Sequence, residues 1–227
     1  MSIRIKEKVT CPKCGFQYEI ECAPAVDGAK DPDLKERLLS GDAFVTVCPS
    51  CSVTTRLVYP VMYHDPGRGF AVYFLPRVEQ EKLERDDTLN GLLDPAASYS
   101  RLRLVDDYSH LCEKIRLFEL GLNDRAMELF KACTALSMMG QEKTDAFVPD
   151  SMVFEEESEG RMRFTCARGE ENKQLTAPAG FYHTIVESAP SAVKEGGAEQ
   201  FVMIDMLWAL NALKDQNSLM KQLRDLH

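Results

Sequence analysis

Alternation governs the start of the chain. Ile3, Ile5 and Val9 alternate with Arg4, Lys6 and Lys8, the period of a half-buried strand. Phe16, Tyr18, Ile20 and Cys22 then alternate with polar residues, which predicts the return strand of a hairpin. Asp31 to Gly41 changes period: Asp31 is placed to cap a helix, Pro32 to open it and Gly41 to end it, with Leu34 and Leu38 one turn apart. Phe44–Val47 and Val53–Tyr59 read as two further strands. Phe70–Leu75 reads as another, after the turn residues Asp65-Pro66-Gly67.

The second half is more helical. Leu111, Ile115, Phe118 and Leu122 form one apolar stripe within a helix from Asp107 to Leu120, and Gly121 stops it. Asn123 or Asp124 caps the next helix, whose stripe is Ala126, Leu129, Cys133 and Leu136, so the two form an antiparallel pair. Met152–Glu157 and Arg161–Arg168 flank Ser158-Glu159-Gly160 as a hairpin. Phe201–Ile204 reads as a short strand. Asp205 caps a last helix with Met206, Leu207, Leu210 and Leu213 on its face.

Between the strands of the first half lie two thiol pairs, Cys11-Pro12-Lys13-Cys14-Gly15 and Cys48-Pro49-Ser50-Cys51-Ser52, separated by 33 residues. A two-residue spacing lets one tight turn aim both sulfurs at one point, while turn amides face the thiolates. Four thiolates close a tetrahedral shell around Zn²⁺ and leave no open position for substrate. Gly15 suits the positive φ such a turn asks for, and Ser52 does not, so the second knuckle is expected to be somewhat less relaxed or slightly different in geometry. A redox pair of the thioredoxin type would place one such motif at a helix N-terminus. Here there are two, each followed by residues typical of strands. The separation exceeds the usual zinc-ribbon loop, so the Asp31–Gly41 helix reads as an insertion between the knuckles.

The resulting fold class is α+β. Residues 1–80 are expected as a zinc-ribbon-like antiparallel β domain with an inserted helix, 81–94 as a linker, and 95–227 as a mixed helical domain with a small β hairpin and a helical hairpin. A small domain of this size buries little core, which is where a structural metal matters.

The remaining polar residues have plainer readings. Tyr63, His64 and Asp65 could form a catalytic or metal trio. The simpler reading is a strand end, with Asp65 bonding turn amides and His64 facing solvent or a neighbour. Glu113, Asp124 and Arg125, with Glu128, could form a polar site at the helix turn, and caps and surface ion pairs explain them as well. Cys22, Cys112, Cys133 and Cys166 read as core thiols.

The chain has 227 residues, 44% of them hydrophobic, and a net charge of −9. Residues 1–80 hold 10 basic and 10 acidic side chains, so the whole excess falls in 81–227. A phosphate-binding surface needs clustered Lys and Arg, and neither half has such a cluster, which argues against nucleic acid. No apolar run is long enough to span a bilayer, and Met1–Lys8 is too polar for a signal peptide. Eight cysteines, four of them scattered, suit a reducing compartment, the cytoplasm.

Two Cys-Pro-x-Cys knuckles, an Asp-Pro-x-Leu…Leu-Leu-Ser-Gly helix between them, then Tyr-Pro and Tyr-His-Asp, together resemble the CpXC domain family, a bacterial and archaeal group named for its cysteine motifs. The resemblance covers Val9 to about Pro76. A looser similarity to longer members covers Arg103-Leu104-Val105, Glu113-Lys114-Ile115 and Gly121 to Arg125. It implies a zinc-ribbon-like domain and adds no activity. The expected function is a cytoplasmic, zinc-stabilised protein-interaction or regulatory module whose acidic half offers a partner surface. A nucleic-acid-binding ribbon and an enzyme with a site at Tyr63-His64-Asp65 or Glu113/Asp124 are the alternatives.

Overall fold

The computed structural model describes residues 1–76, 98–139, 149–195 and 200–215. The linker expected at 81–94 lies outside the described residues. The chain divides into two compact units, one of Met1–Cys112 joined by Phe201, the other beginning at Glu113.

The first unit is built on a five-stranded sheet of order β1-β2-β5-β6-β7. Strands β1 (Ile3–Thr10) and β2 (Gln17–Asp27) form the antiparallel hairpin that alternation predicts. Helix α1 (Pro32–Ser40) follows, with Asp31 accepting from the Leu34 amide and Gly41 left-handed at its end. Strands β3 (Val45–Val47) and β4 (Thr54–Arg56) make a separate two-stranded ribbon. The chain then returns to the main sheet as β5 (Val61–Asp65) and β6 (Phe70–Phe74), an antiparallel pair. Strand β7 (Arg101–Val105) closes the edge.

The expected wholly antiparallel sheet is not found. Ala25–Asp27 pair parallel with Met62–His64, and β6 pairs parallel with β7. Parallel neighbours need a long crossover, and α1 with the β3–β4 ribbon supplies the first one. One sheet face carries Ala25, Met62, Ala71, Tyr73 and Leu102, covered by Tyr99 and Phe201. Elsewhere in this unit, Phe44 meets Tyr59, Phe74 and Tyr108 edge-on, at centroid distances of 5.1, 6.0 and 5.7 Å. Tyr108 donates to the carbonyls of Leu38 and Leu39, tying off the end of α1.

In the second unit, helices α2 (Tyr108–Glu119, whose first turn counts with the first unit) and α3 (Asp124–Met139) run antiparallel. The Leu122 amide donates to the Leu117 carbonyl across left-handed Gly121, and Asn123 accepts from the Ala126 amide to start α3. The predicted small hairpin is a three-stranded meander, β8 (Ser151–Ser158), β9 (Arg161–Arg168) and β10 (Glu171–Pro178). Phe130 of α3 stacks on Phe164 of β9 at 5.2 Å. Helices α4 (Ala179–Ser188), α5 (Pro190–Val193) and α6 (Met206–Asp215) complete the unit. Asp205 caps α6 through the Trp208 amide. Its buried face is Ala209 and Leu213, while Leu207 is 66% exposed, contrary to the stripe expected. No helix among the described residues is long and apolar enough to cross a membrane.

Candidate metal centre

Each knuckle closes the end of a strand pair. In the first, the Cys11 amide donates to the Phe16 carbonyl and the Gly15 amide to the Cys11 carbonyl, both at 2.9 Å. The second repeats this: Cys48 donates to Val53, and Ser52 to Cys48, again at 2.9 Å. Ser52 takes φ +56°, so it adopts the left-handed backbone despite its side chain, which makes the second knuckle the less relaxed of the two while their backbone hydrogen bonds are alike.

The turns bring the four sulfurs of Cys11, Cys14, Cys48 and Cys51 within 4.8 Å of one another. Two contacts run across the knuckles: Cys11 Sγ to Cys51 Sγ at 3.6 Å and Cys14 Sγ to Cys48 Sγ at 3.7 Å. A disulfide needs about 2.05 Å, far shorter than either. A tetrahedral shell with metal–sulfur bonds of about 2.3 Å has sulfur–sulfur edges of about 3.8 Å. The donor set and the spacing both fit a four-coordinate thiophilic metal ion.

Charge explains why a cation belongs there. Amides of Cys14 and Lys13 pull the Cys11 thiol down to about 6. At Cys51 the Val53 amide also pulls down, but burial and the sulfurs of Cys14, Cys11 and Cys48 push the thiol up to about 12. Four thiols this close resist giving up all their protons to water, and a bound dication removes that resistance.

The other four cysteines are buried and apart from this cluster. Burial pushes Cys133 up to about 12 and raises Cys22 and Cys166 as well, which suppresses thiolate chemistry.

Tyr63, His64 and Asp65 occupy consecutive positions of β5, so the pleat sends His64 to the opposite face from its neighbours. Tyr63 is fully buried, stacks on Phe70 at 5.9 Å and fills the space beside Gly28, where a Cβ would collide with its hydroxyl. Asp65 accepts from the amide and the guanidinium of Arg68 in the turn, as expected. Of the two alternatives for His64, solvent or a neighbour, the structure has the neighbour: it is 1% exposed, with Nδ1 3.1 Å from the Tyr99 hydroxyl.

Glu113, Asp124 and Arg125 do not form one site. Arg125 lies over the Trp208 ring at 5.3 Å and 3.8 Å from Glu195. Glu113 and Asp124 belong to a buried ion network, not to the caps and surface ion pairs expected. Lys114 bonds Asp124 and Glu128 at 3.2 and 3.1 Å; Lys131 bonds Glu113 and Glu128 at 3.0 and 2.8 Å. Glu113 also accepts from the Phe154 amide of β8 at 2.6 Å. The signal was available at Lys131, which sits between Phe130 and Ala132 in an otherwise apolar run.

A family model described as CpXC protein matches residues 9–131, a span that holds both knuckles, Tyr63-His64-Asp65 and all five charged side chains of the ion network. No curated protein and no solved structure matches the chain.

Proposed function

The chain belongs to the CpXC protein family, and from that premise we propose that it is a cytoplasmic protein-interaction or regulatory module stabilised by structural Zn²⁺. Cys11, Cys14, Cys48 and Cys51 hold the ion. The carrying observation is the pair of cross-knuckle sulfur contacts at 3.6 and 3.7 Å. Four protein thiolates satisfy a tetrahedral ion, leaving it neither a water to activate nor a position for substrate. Soft thiolates suit zinc, and the ion's binding energy, on the order of 10–16 kcal/mol, goes into folding. The ribbon β3–β4 has three residues per strand, too few to hold itself together without that clamp.

The interaction reading is supported by charge. The −9 excess falls outside residues 1–80, and no basic cluster offers itself to phosphates, which favours protein partners over nucleic acid. The buried thiols suit a reducing cytoplasm. Elemental analysis of the protein as isolated tests the metal: one zinc per chain supports the reading, and another metal or none overturns it. Affinity purification followed by mass spectrometry tests the partner class; recovery of nucleic acid alone would favour the ribbon as a nucleic-acid binder.

A further inference from the structure

We propose that the cleft between β2 and β3 takes an extended segment of a partner protein, which pairs with both strands. The proposal rests on the reading of this chain as a protein-interaction module.

Both strands present an open edge. Strand β1 covers one side of β2, and β5 covers the other only at Ala25–Asp27. In an antiparallel ladder, hydrogen-bonded and non-bonded pairs alternate. The Cys11–Phe16 bond sets the phase, so Tyr18, Ile20 and Cys22 bond to β1, while Glu19 and Glu21 turn their N–H and C=O groups to the other side. Ala23 agrees: its amide donates away from β1, to the Tyr59 hydroxyl at 3.2 Å. On β3 the Cys48–Val53 and Leu57–Phe44 bonds set the phase, so Val45 and Val47 turn their main-chain groups away from β4. Among the described residues no strand pairs with either edge.

These edges line a cleft of about 350 Å³, together with Phe44, Leu57 and Tyr59. It is tied at both ends. The Tyr59 hydroxyl accepts from Ala23 and donates to the Ala43 carbonyl at 3.2 Å. At the other end the sulfurs of the two knuckles meet. Between these ties the cleft is bordered by Glu19, Glu21, Val45 and Val47, whose backbone groups point away from β1 and β4. Other strand edges are guarded by charge, such as Lys6 and Lys8 on β1 and Glu155 to Glu157 on β8. Strand β3 instead leaves Val45 and Val47 42% and 55% exposed.

The chemistry of the occupant follows from the pleat. A peptide strand offers donors and acceptors along both edges at the right period. Its side chains share faces with those of β2, so one set meets Glu19 and Glu21 and the other meets Tyr18 and Ile20. Strand β1 shows what the carboxylates accept: Lys8 and Lys6 lie opposite Glu19 and Glu21, while Val9 and Glu7 lie opposite Tyr18 and Ile20, whose own side chains call for apolar residues. Arg37 is the basic side chain among the cleft's lining residues, and Glu21 already accepts from Arg4 at 3.1 Å, which shows that this carboxylate takes a cation. The partner segment alternates basic and apolar residues.

Calorimetric titration of the full, zinc-loaded chain with a short capped peptide of alternating lysine and valine tests this. A second peptide, identical in side chains but N-methylated on every other amide, removes the donors along one edge. Binding of the first and a loss of about tenfold or more with the second is expected. The double variant Glu19→Lys/Glu21→Lys should also bind about tenfold more weakly with zinc content unchanged. Absence of binding up to about 1 mM overturns the proposal, as does equal binding of both peptides. So does concentration-dependent dimerisation that the peptide cannot compete away, since a second copy would then fill the cleft. Metal analysis of the same samples separates the two readings: a zinc-loaded chain that ignores the peptide refutes the cleft alone, and a zinc-free chain that binds it refutes the metal alone.

Discussion

Gly15 and Ser52 occupy the same place in the two knuckles. Both have left-handed φ, +74° and +56°, and each donates its amide at 2.9 Å to the carbonyl of the first cysteine of its own pair. The turn needs that backbone to aim two sulfurs inward. Only Gly15 adopts it without a steric penalty.

A residue with a Cβ pays roughly 1–2 kcal/mol for the left-handed region, part of which glycine returns through its freer unfolded state. Ser52→Gly should therefore stabilise the metal-loaded protein by about 0.5–1 kcal/mol and leave its zinc stoichiometry unchanged. Gly15→Ser should cost a similar amount, since nothing lies within 4 Å of an added Cβ there. Denaturant unfolding of both variants measures this. A less stable Ser52→Gly would mean that the serine hydroxyl contributes to the knuckle.

The proposed zinc site divides the eight cysteines into four ligands and four core thiols. Serine at Cys11, Cys14, Cys48 or Cys51 breaks a closed shell and should lose the metal together with the fold of the β3–β4 ribbon. Serine at Cys22, Cys112, Cys133 or Cys166 places a hydroxyl in a buried site and should cost about 1–3 kcal/mol with zinc retained. Metal analysis of the eight single variants checks the division. Loss of zinc from Cys22→Ser would break it.

At the tip of the β8–β9 hairpin, Glu159 and Gly160 both have positive φ, +52° and +72°, the signature of a type I′ turn. Asparagine tolerates this backbone better than glutamate. Glu159→Asn is expected to stabilise the protein by about 0.5 kcal/mol, read as a raised denaturation midpoint. A lowered midpoint would show that Glu159 is held by something other than the turn.

What the sequence made legible was local. The knuckles follow from two-residue spacing, α1 from Asp31, Pro32 and Gly41, and the β8–β9 hairpin from the turn residues between two strand-like runs. What it hid was pairing at a distance. Nothing in Ala25–Asp27 or Met62–His64 marks them as parallel neighbours, because both are buried runs without alternation. Arg101–Val105 does alternate, yet its place beside β6 depends on the whole sheet. His64 illustrates the same limit. A polar residue at a strand end reads as facing solvent or a neighbour, and nothing local names that neighbour as Tyr99, 35 residues later.

The buried ion network is where a single substitution should do most damage. Lys131 sits between Glu113 and Glu128, all three buried, and Lys114 joins Glu128 to Asp124. Three carboxylates meet two ammonium groups, and the excess negative charge is eased by the N-terminus of α3, the positive end of the helix dipole, in whose first turn Asp124 lies. Lys131→Met leaves Glu113 and Glu128 short of a counter-charge in a dry site and should destabilise the second unit by about 3–5 kcal/mol. Burial alone would raise the Glu128 carboxyl, but Lys131 and Lys114 hold it below its ordinary 4.5. Burial alone would lower Lys131, but Glu113 and Glu128 hold it above 10.5. A depressed carboxyl contributes stability above its unfolded value that is lost as pH falls, and a raised lysine contributes below its unfolded value and loses it as pH rises. Wild-type stability from this network should therefore hold between about pH 4.5 and 10.5 and decline outside that window. In Lys131→Met the acid-side decline should shrink, because Glu128 has lost a partner that kept it ionised. Denaturant unfolding of both proteins across pH decides it: parallel acid limbs would mean the network carries no linked protons.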